Sequence, residues 1–180
     1  DMAGSRTIRE RLDLLDICKK IIFNSIWTKE QFIKGLDNFY SSSSKLEVIN
    51  QSTNKQKIDF TKKKKIITFV GKLNSAKGYD LFGSAILKIL KKHKDWSSLV
   101  IGDEPREKLN FKHKNLSLLG FQLHKKVLKI LEKTSIAVAC SRWNEPFGRT
   151  SLEAASRGCA VIISDKGGLK ETITNGIILK

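Results

Sequence analysis

The sequence predicts a doubly wound α/β domain built on a parallel sheet, and two observations support this fold class. From residue 65 onward, short runs rich in β-branched residues alternate with amphipathic stretches of helical length. The runs are apolar throughout, which is typical of strands covered by helices on both faces. The ligand of such a domain binds at the carboxyl ends of its strands.

The predicted elements follow one another in a regular order. Strands are predicted for KIITFVGK, SSLVIG, LSLLGF, SIAVACS, CAVIISD and GIILK, at residues 65–72, 97–102, 116–121, 135–141, 159–165 and 176–180. Helices are predicted between them, at residues 79–93, 124–134, 148–156 and 169–174. Each helix is long enough to connect two parallel strands of one sheet.

The first 50 residues also have an α/β pattern, with helices at 8–17 and 28–36 and strands at 19–25 and 46–50. Two strands are too few for an independent sheet of this kind, so residues 1–50 are predicted to be the tail of a preceding α/β domain. Residues 51–64 are polar and without period, as expected of an interdomain linker. Residues 65–180 form the main domain, and we expect the chain to be a fragment cut at both ends.

The composition is that of an ordinary globular protein, with 40% hydrophobic residues and a formal net charge of +16. No apolar run approaches the length of a membrane span, and the first residues lack a signal-peptide core. The charge by itself would suggest nucleic acid or an anionic membrane surface. Because lysines are spread along the chain, with one cluster at Lys62–Lys65, a solvated lysine surface is the favoured interpretation, and a basic nucleic-acid-binding module remains the alternative.

Cysteine and histidine residues carry no predicted chemistry. Cys18, Cys140 and Cys159 are odd in number and form no C-x-x-C pair, so buried reduced thiols and a cytosolic location are expected. The histidines, His93, His113 and His124, are isolated and without metal-ligand spacing.

The segment EPFGRTSLEA sets Glu145 and Glu153 on either side of a Pro/Gly break. The break predicts that Glu145 lies on a loop and that Glu153 lies within a following helix, whose free N–H groups attract anions. A ligand with a phosphate in its middle and hydroxyl groups at both ends, such as a nucleotide sugar, fits this arrangement. The competing interpretation is a pair of solvated surface carboxylates.

Two other predicted strand ends carry ligand-type residues. GKLNSAKGYD places Lys72 and Lys77 near a strand end, where they could neutralise a diphosphate or start a solvated helix, and its spacing fits neither a Walker A loop nor G-x-G-x-x-G. Gly167 and Gly168, in DKGGLKE, allow either a close approach to a ligand or a tight strand-to-helix turn. The sequence contains no D-x-D, so no metal-held diphosphate is signalled.

Together FVGKLNSAKGYD, LLGF, EPFGRTSLEAASRGCAVIIS and GGLKETI resemble the carboxyl-terminal, donor-binding half of a retaining glycosyltransferase of family 4, in the group 1 glycosyl transferases. The resemblance runs in order over residues 66–180, while IIFNSIWTKEQF and LEVIN are similar to the end of the family's amino-terminal domain. It implies a GT-B fold with two Rossmann-like domains and the transfer of a sugar from a nucleoside diphosphate sugar with retention.

The resemblance also implies roles for individual residues. Glu145 would hold hydroxyls of the donor sugar, and Glu153 would accept hydrogen bonds from the ribose. Lys72 and Lys77 would balance the charge of the leaving nucleoside diphosphate without a metal or other cofactor, and with Glu145 they form the implied catalytic set. The full set of implied donor-binding residues is Lys72, Lys77, Phe121, Glu145, Phe147, Gly148, Arg149, Thr150 and Glu153.

The sequence departs from the family pattern at Lys72, where arginine is usual, at Glu104, where glycine is common, and at Arg149, which replaces an apolar residue. The implied partners are a nucleotide-sugar donor and, through an amino-terminal domain outside this sequence, a saccharide or lipid-linked acceptor, with no nucleic acid. Donor binding without turnover is therefore expected, at a cytoplasmic location with a peripheral membrane contact left open. An epimerase or phosphorylase of the same fold is a further alternative.

Overall fold

The computed structural model describes residues 7–37, 40, 42–54 and 56–180. Two parallel sheets organise this part of the chain. A two-stranded sheet pairs β1 (Ile21–Phe23) with β2 (Leu46–Val48), and the larger sheet has six strands.

The two-stranded sheet, with helices α1 (Ile8–Ile17) and α2 (Ile26–Ile33), forms what we call the amino-terminal unit. Both helices begin with a capping box, in which the hydroxyl of Thr7 or Ser25 accepts a hydrogen bond from a backbone N–H of the first turn. The unit encloses a small core of Leu15, Phe23, Phe32 and Leu46. Since Ser25 is the cap, α2 begins before the predicted residue 28.

The larger sheet confirms the predicted fold class. Its strands are β3 (Lys64–Val70), β4 (Ser97–Ile101), β5 (Leu116–Leu118), β6 (Thr134–Ala139), β7 (Ala160–Ser164) and β8 (Ile177–Leu179). All neighbours are parallel, and the order is β5-β4-β3-β6-β7-β8. After β3 the chain adds β4 and β5 on one side of the sheet. It then returns to the other side of β3, where it adds β6, β7 and β8. The carboxyl ends of β3 and β6 therefore flank the switch point where ligands bind in such sheets.

Helices cover both faces of this sheet. Helix α3 (Tyr79–Lys92) packs on one face, where its buried residues join Ile67, Phe69 and Val100 in one core cluster. Helices α4 (His124–Lys133) and α5 (Arg149–Ser156) pack on the other face, around Val161 and Ile163. Burial on both faces explains why the strand sequences are apolar throughout.

The last predicted helix differs from the structure. Residues 169–174 were expected to be helical, but only a 3-10 helix, Gly168–Thr172, forms there. The segment lies between β7 and β8, which are adjacent, and the Thr172 hydroxyl bonds back to Leu169 O at 2.6 Å. The crossover between these parallel strands is therefore residues 165–176, with the 3-10 helix as its only regular element.

The predicted linker is attached to the larger sheet and its helices. It contains a 3-10 helix, Phe60–Lys62, and Arg157 donates a hydrogen bond to Asn54 O at 3.2 Å. Lys63 departs from the expectation of a solvated cluster, because its ammonium donates to three backbone carbonyl groups at 2.6 to 3.0 Å. Burial lowers the pKa of Lys63. The domain boundaries at residues 50 and 65 stay a prediction.

All three cysteines are free thiols, and Cys140 and Cys159 are buried as expected. Burial raises the pKa of both thiols. Cys18 differs, since it is only partly buried at the end of α1.

Candidate functional site

A cleft opens at the switch point of the six-stranded sheet, where β3 and β6 end. Its floor is the end of β3, from Phe69 to Gly71, together with Ala139 at the end of β6. Lys77 and Glu145 line one part of it, and the first turn of α5 lines another. The cleft therefore lies at the carboxyl ends of the strands, where the sequence predicted a ligand.

The loop that carries Lys77 is held by hydrogen bonds of the Asn74 side chain and by the carboxylate of Glu104. Asn74 Oδ1 accepts a hydrogen bond from Lys77 N at 2.9 Å, and Asn74 Nδ2 donates to Glu104 at 3.1 Å. Arg106 forms a two-pronged ion pair with the same carboxylate, at 2.7 and 2.9 Å. The hydrogen bonds from Arg106 lower the pKa of Glu104 to about 2. Glu104, in place of the family's common glycine, thus supports this loop.

This loop is joined to the loop that follows β6. Ala76 O accepts hydrogen bonds from Arg142 N at 2.9 Å and from Trp143 N at 3.0 Å. Arg142 also forms a two-pronged ion pair with Asp80 in the first turn of α3, at 2.6 and 2.7 Å. These contacts fix the relative position of the two loops and therefore of the charged side chains that they carry.

Lys77 and Glu145 meet between these loops. Lys77 Nζ lies 2.6 Å from Glu145 Oε1, with side chains 31% and 15% exposed. An ammonium group has three donors, so this contact leaves two of them for other acceptors. A fixed cation with spare donors at the mouth of a cleft suits an anionic ligand.

Helix α5 presents its amino-terminal end to the cleft, through Gly148, Arg149 and Thr150. Its N-cap, Gly148, has φ +102°, a backbone conformation that side chains rarely adopt. Glycine has no side chain with which to cap the first N–H groups, and such groups favour anions. The loop position of Glu145 and the helical position of Glu153 are as the Pro/Gly break predicted.

Glu153 is buried one turn further along α5. Its Oε1 lies 3.0 Å from His124 Nε2 and 3.1 Å from an Arg149 nitrogen. Its side chain is 9% exposed, whereas those of His124 and Arg149 are 60% and 58% exposed. Because Arg149 lines the cleft, Glu153 lies at the same end of the sheet as Lys77. No sequence pattern indicates a role for His124, because its hydrogen-bond partner Glu153 is remote along the chain.

Four of the residues implied by the resemblance lie outside the cleft lining, and one of them is Glu153, which touches a lining residue only through Arg149. Lys72 is exposed, and Phe121, after β5, has a side chain that is 71% exposed. Phe147 is buried, with 3% of its surface exposed. Gly167 and Gly168 approach protein backbone, since Gly168 N donates to Glu145 O at 2.7 Å and Gly167 pairs with Glu145.

The fold and the cleft define a class: an α/β domain of the doubly wound type whose switch-point cleft combines a lysine, a glutamate and a helix N-terminus. The comparison with protein families agrees with this class. The chain belongs to the glycosyl transferases group 1 family, whose family model matches residues 50–179.

Named relatives share the same region of the chain. It is 33% identical over 116 residues to the lipopolysaccharide core biosynthesis mannosyltransferase LpcC of Rhizobium leguminosarum bv. viciae, covering 59% of this chain and 33% of that protein. It is 31% identical over 126 residues to the spore coat protein SA of Bacillus subtilis, covering 63% of this chain and 33% of that protein. The chain thus spans about a third of the length of these curated relatives.

Solved structures share the fold. The Anabaena Alr3699/HepE structure in complex with UDP and glucose matches with a TM-score of 0.74 at 17% identity, over 96% of this chain and 52% of that one. The carboxyl-terminal domain of LpcC from Francisella tularensis matches with a TM-score of 0.57 at 30% identity, over 64% of this chain and 67% of that one. In the part of this chain that the structure describes, no helix is both long and apolar enough to cross a bilayer.

Proposed function

We propose that this chain binds the nucleoside diphosphate sugar of a retaining glycosyltransferase and that the transfer itself requires a further, acceptor-binding domain. The observation that carries the proposal is the switch-point cleft, where Lys77, Glu145 and the start of α5 converge. Because the structural neighbour Alr3699/HepE was solved in complex with UDP, UDP is the first nucleotide to test.

The cleft supports a division of roles. The N–H groups at the start of α5 and the free donors of Lys77 would bind the diphosphate and stabilise its charge as it leaves. Glu145 would bind hydroxyls of the sugar while keeping Lys77 oriented at 2.6 Å. Glu153 would bind the ribose from the second turn of α5. Lys72, Phe121 and Phe147 keep their implied roles as predictions, since they lie outside the cleft lining. The ribose role of Glu153 is likewise a prediction, because its carboxylate contacts the lining only through Arg149.

No metal enters this proposal. Lysine and a helix N-terminus would supply the positive charge that a metal ion supplies elsewhere. The acceptor class, a saccharide or a lipid-linked saccharide, and any peripheral membrane contact also remain predictions, because they depend on residues outside the cleft.

Calorimetric titration of the chain with UDP, GDP, ADP and the corresponding sugar nucleotides tests the proposal. Lys77→Ala should weaken diphosphate binding about tenfold to a hundredfold, because a charge-assisted hydrogen bond contributes roughly 1.5 to 3 kcal/mol. Lys88→Ala, at an exposed position of α3, removes the same charge elsewhere and should leave binding unchanged.

A short DNA duplex is titrated in parallel at two salt concentrations. If the chain binds the duplex with a steep salt dependence and binds no nucleoside diphosphate, the proposal is rejected in favour of a nucleic-acid-binding module. Equal losses in Lys77→Ala and Lys88→Ala would mean that net charge, and not the cleft, attracts the ligand.

A further inference from the structure

The amino-terminal unit makes a charged contact with the 3-10 helix that follows β7. Glu171 accepts hydrogen bonds from two backbone N–H groups in the first turn of α2, from Ile26 at 2.7 Å and from Trp27 at 2.8 Å. N–H groups in the first turn have no partner within their own helix, and a carboxylate there is also favoured by the helix dipole. Both carboxylate oxygens of Glu171 therefore bond to the start of α2.

Ser25, the N-cap of α2, bonds directly to the loop that carries Glu145. Its hydroxyl donates to Pro146 O at 2.5 Å and accepts from Thr28 N at 3.0 Å. The side chain is fully buried, with 0% of the residue exposed. Rotation of this buried hydroxyl would break both hydrogen bonds and leave buried polar groups without partners, so its orientation is fixed.

The same loop is bonded to Gly168, which lies beside Ser25. Gly168 N donates to Glu145 O at 2.7 Å. A Cβ atom added to Gly168 would lie 2.5 Å from Pro146 O and 2.8 Å from Ser25 Oγ. Gly168 and Ser25, packed against each other, thus both bond to the backbone of Glu145 and Pro146, an arrangement that we call the clamp. Because close-packed groups transmit displacement, a shift of α2 must shift the loop.

We infer that Ser25 and Glu171 are positioning residues for the sugar end of the proposed donor site. Neither residue lines the cleft, and Ser25 belongs to the amino-terminal unit. Together they fix α2 against residues 145–146, and this contact sets where the Glu145 carboxylate points. The amino-terminal unit is thereby part of the donor site. The inference rests on the proposed function, because it assigns Glu145 to the sugar.

Ser25→Ala and Glu171→Gln test the inference by calorimetry with UDP and with the UDP-sugar that the wild type binds most tightly. Affinity for the UDP-sugar should fall by about threefold to tenfold, while affinity for UDP should stay within about twofold, because the diphosphate contacts lie at Lys77 and α5. Thr7→Ala is the matched control, since Thr7 caps α1 of the same unit by the same kind of capping box. It should change neither affinity.

A double variant tests whether Ser25 acts through Glu145. In a Glu145→Gln background, Ser25→Ala should cause no further loss of UDP-sugar affinity, since the group that it positions has already been altered. Additive losses, or equal losses for UDP and UDP-sugar, would overturn the inference and leave Ser25 a residue of general stability.

A measurement without ligand separates this inference from the proposed function. Amide hydrogen exchange in residues 144–148 should quicken in Ser25→Ala and Glu171→Gln and stay unchanged in Thr7→Ala. Unchanged exchange in all three variants would disprove the clamp even if nucleotides bind. A wild-type chain that binds no nucleotide, with the expected exchange pattern, would reject the proposed function and the role in sugar binding while confirming the clamp itself.

Discussion

Glu153→Gln should separate nucleoside recognition from phosphate recognition. The substitution keeps the size and shape of the side chain and removes its negative charge. In the proposed site Glu153 binds the ribose, whereas the diphosphate is bound by Lys77 and the start of α5. UDP and UDP-sugar should therefore bind more weakly to the variant, while inorganic pyrophosphate should bind as it does to the wild type.

The contacts of Glu153 set the size of the effect. A charge-assisted hydrogen bond to a ribose hydroxyl contributes roughly 1.5 to 3 kcal/mol and the neutral bond that glutamine can still make about 1 kcal/mol, so the affinity for UDP should fall about twofold to thirtyfold. The cost to folding should be small, under about 1 kcal/mol, because His124 and Arg149 remain 60% and 58% exposed and are solvated without their partner. The variant is thus expected to be folded when its binding is measured.

Calorimetry with pyrophosphate, UDP and UDP-sugar is the assay, and thermal unfolding checks the folded state. Glu132→Gln, on α4 with a side chain that is 42% exposed, makes the same charge change away from the cleft. Its affinities should equal those of the wild type. If Glu153→Gln binds UDP as well as the wild type does, or weakens pyrophosphate equally, Glu153 does not bind the ribose and the assignment is wrong.

Three further changes concern stability. Gly148→Ala should destabilise the fold by about 1 to 3 kcal/mol in denaturant titration, because φ +102° is strained for any side chain; an unchanged midpoint would contradict this. The pKa of Glu104 is lowered to about 2, so its contribution to stability is present above its ordinary pKa of 4.5 and is lost as the pH falls through about 2. Glu104→Gln should flatten this part of the acid unfolding curve, and an unaltered curve would refute the role of Glu104. Lys63→Met should cost about 1 to 3 kcal/mol by chemical unfolding, since three partly buried carbonyl groups lose their donor, whereas Lys64→Met, at an exposed position, should have little effect.

The fold class follows from local sequence features. Runs such as KIITFV and CAVIIS can be buried only as strands covered on both faces, and the amphipathic stretches between them can only cover that sheet. Helix α1 occupies the predicted residues 8–17, and α5, predicted at 148–156, begins one residue later because Gly148 is its N-cap. Less regular segments were harder to predict, because the 3-10 helix at Gly168–Thr172 makes its contacts with remote residues, such as the bonds of Glu171 to the first turn of α2.

The candidate site was predicted only where its parts follow strand ends. Lys77, Glu145 and Gly148 stand in loops after β3 and β6, and neighbouring parallel strands bring their carboxyl ends together. His124 and Ser25 could not be found in this way. Their partners are 29 and 121 positions away along the chain, and no local periodicity or spacing encodes a contact at such a separation.

The sequence by itself determined the strands of the larger sheet and its regular helices, the strand-end loops that carry charge, and the Gly148 break that opens α5 to the cleft. These are properties of neighbouring residues, whose backbone preferences and apolar periods act over one or two turns. Only the tertiary structure decided that Lys77 is paired with Glu145, that Glu153 is held by His124, and that Ser25 and Glu171 join the amino-terminal unit to the donor loop. Such pairings depend on how the strands are ordered and how the loops pack, which is a property of the whole folded chain.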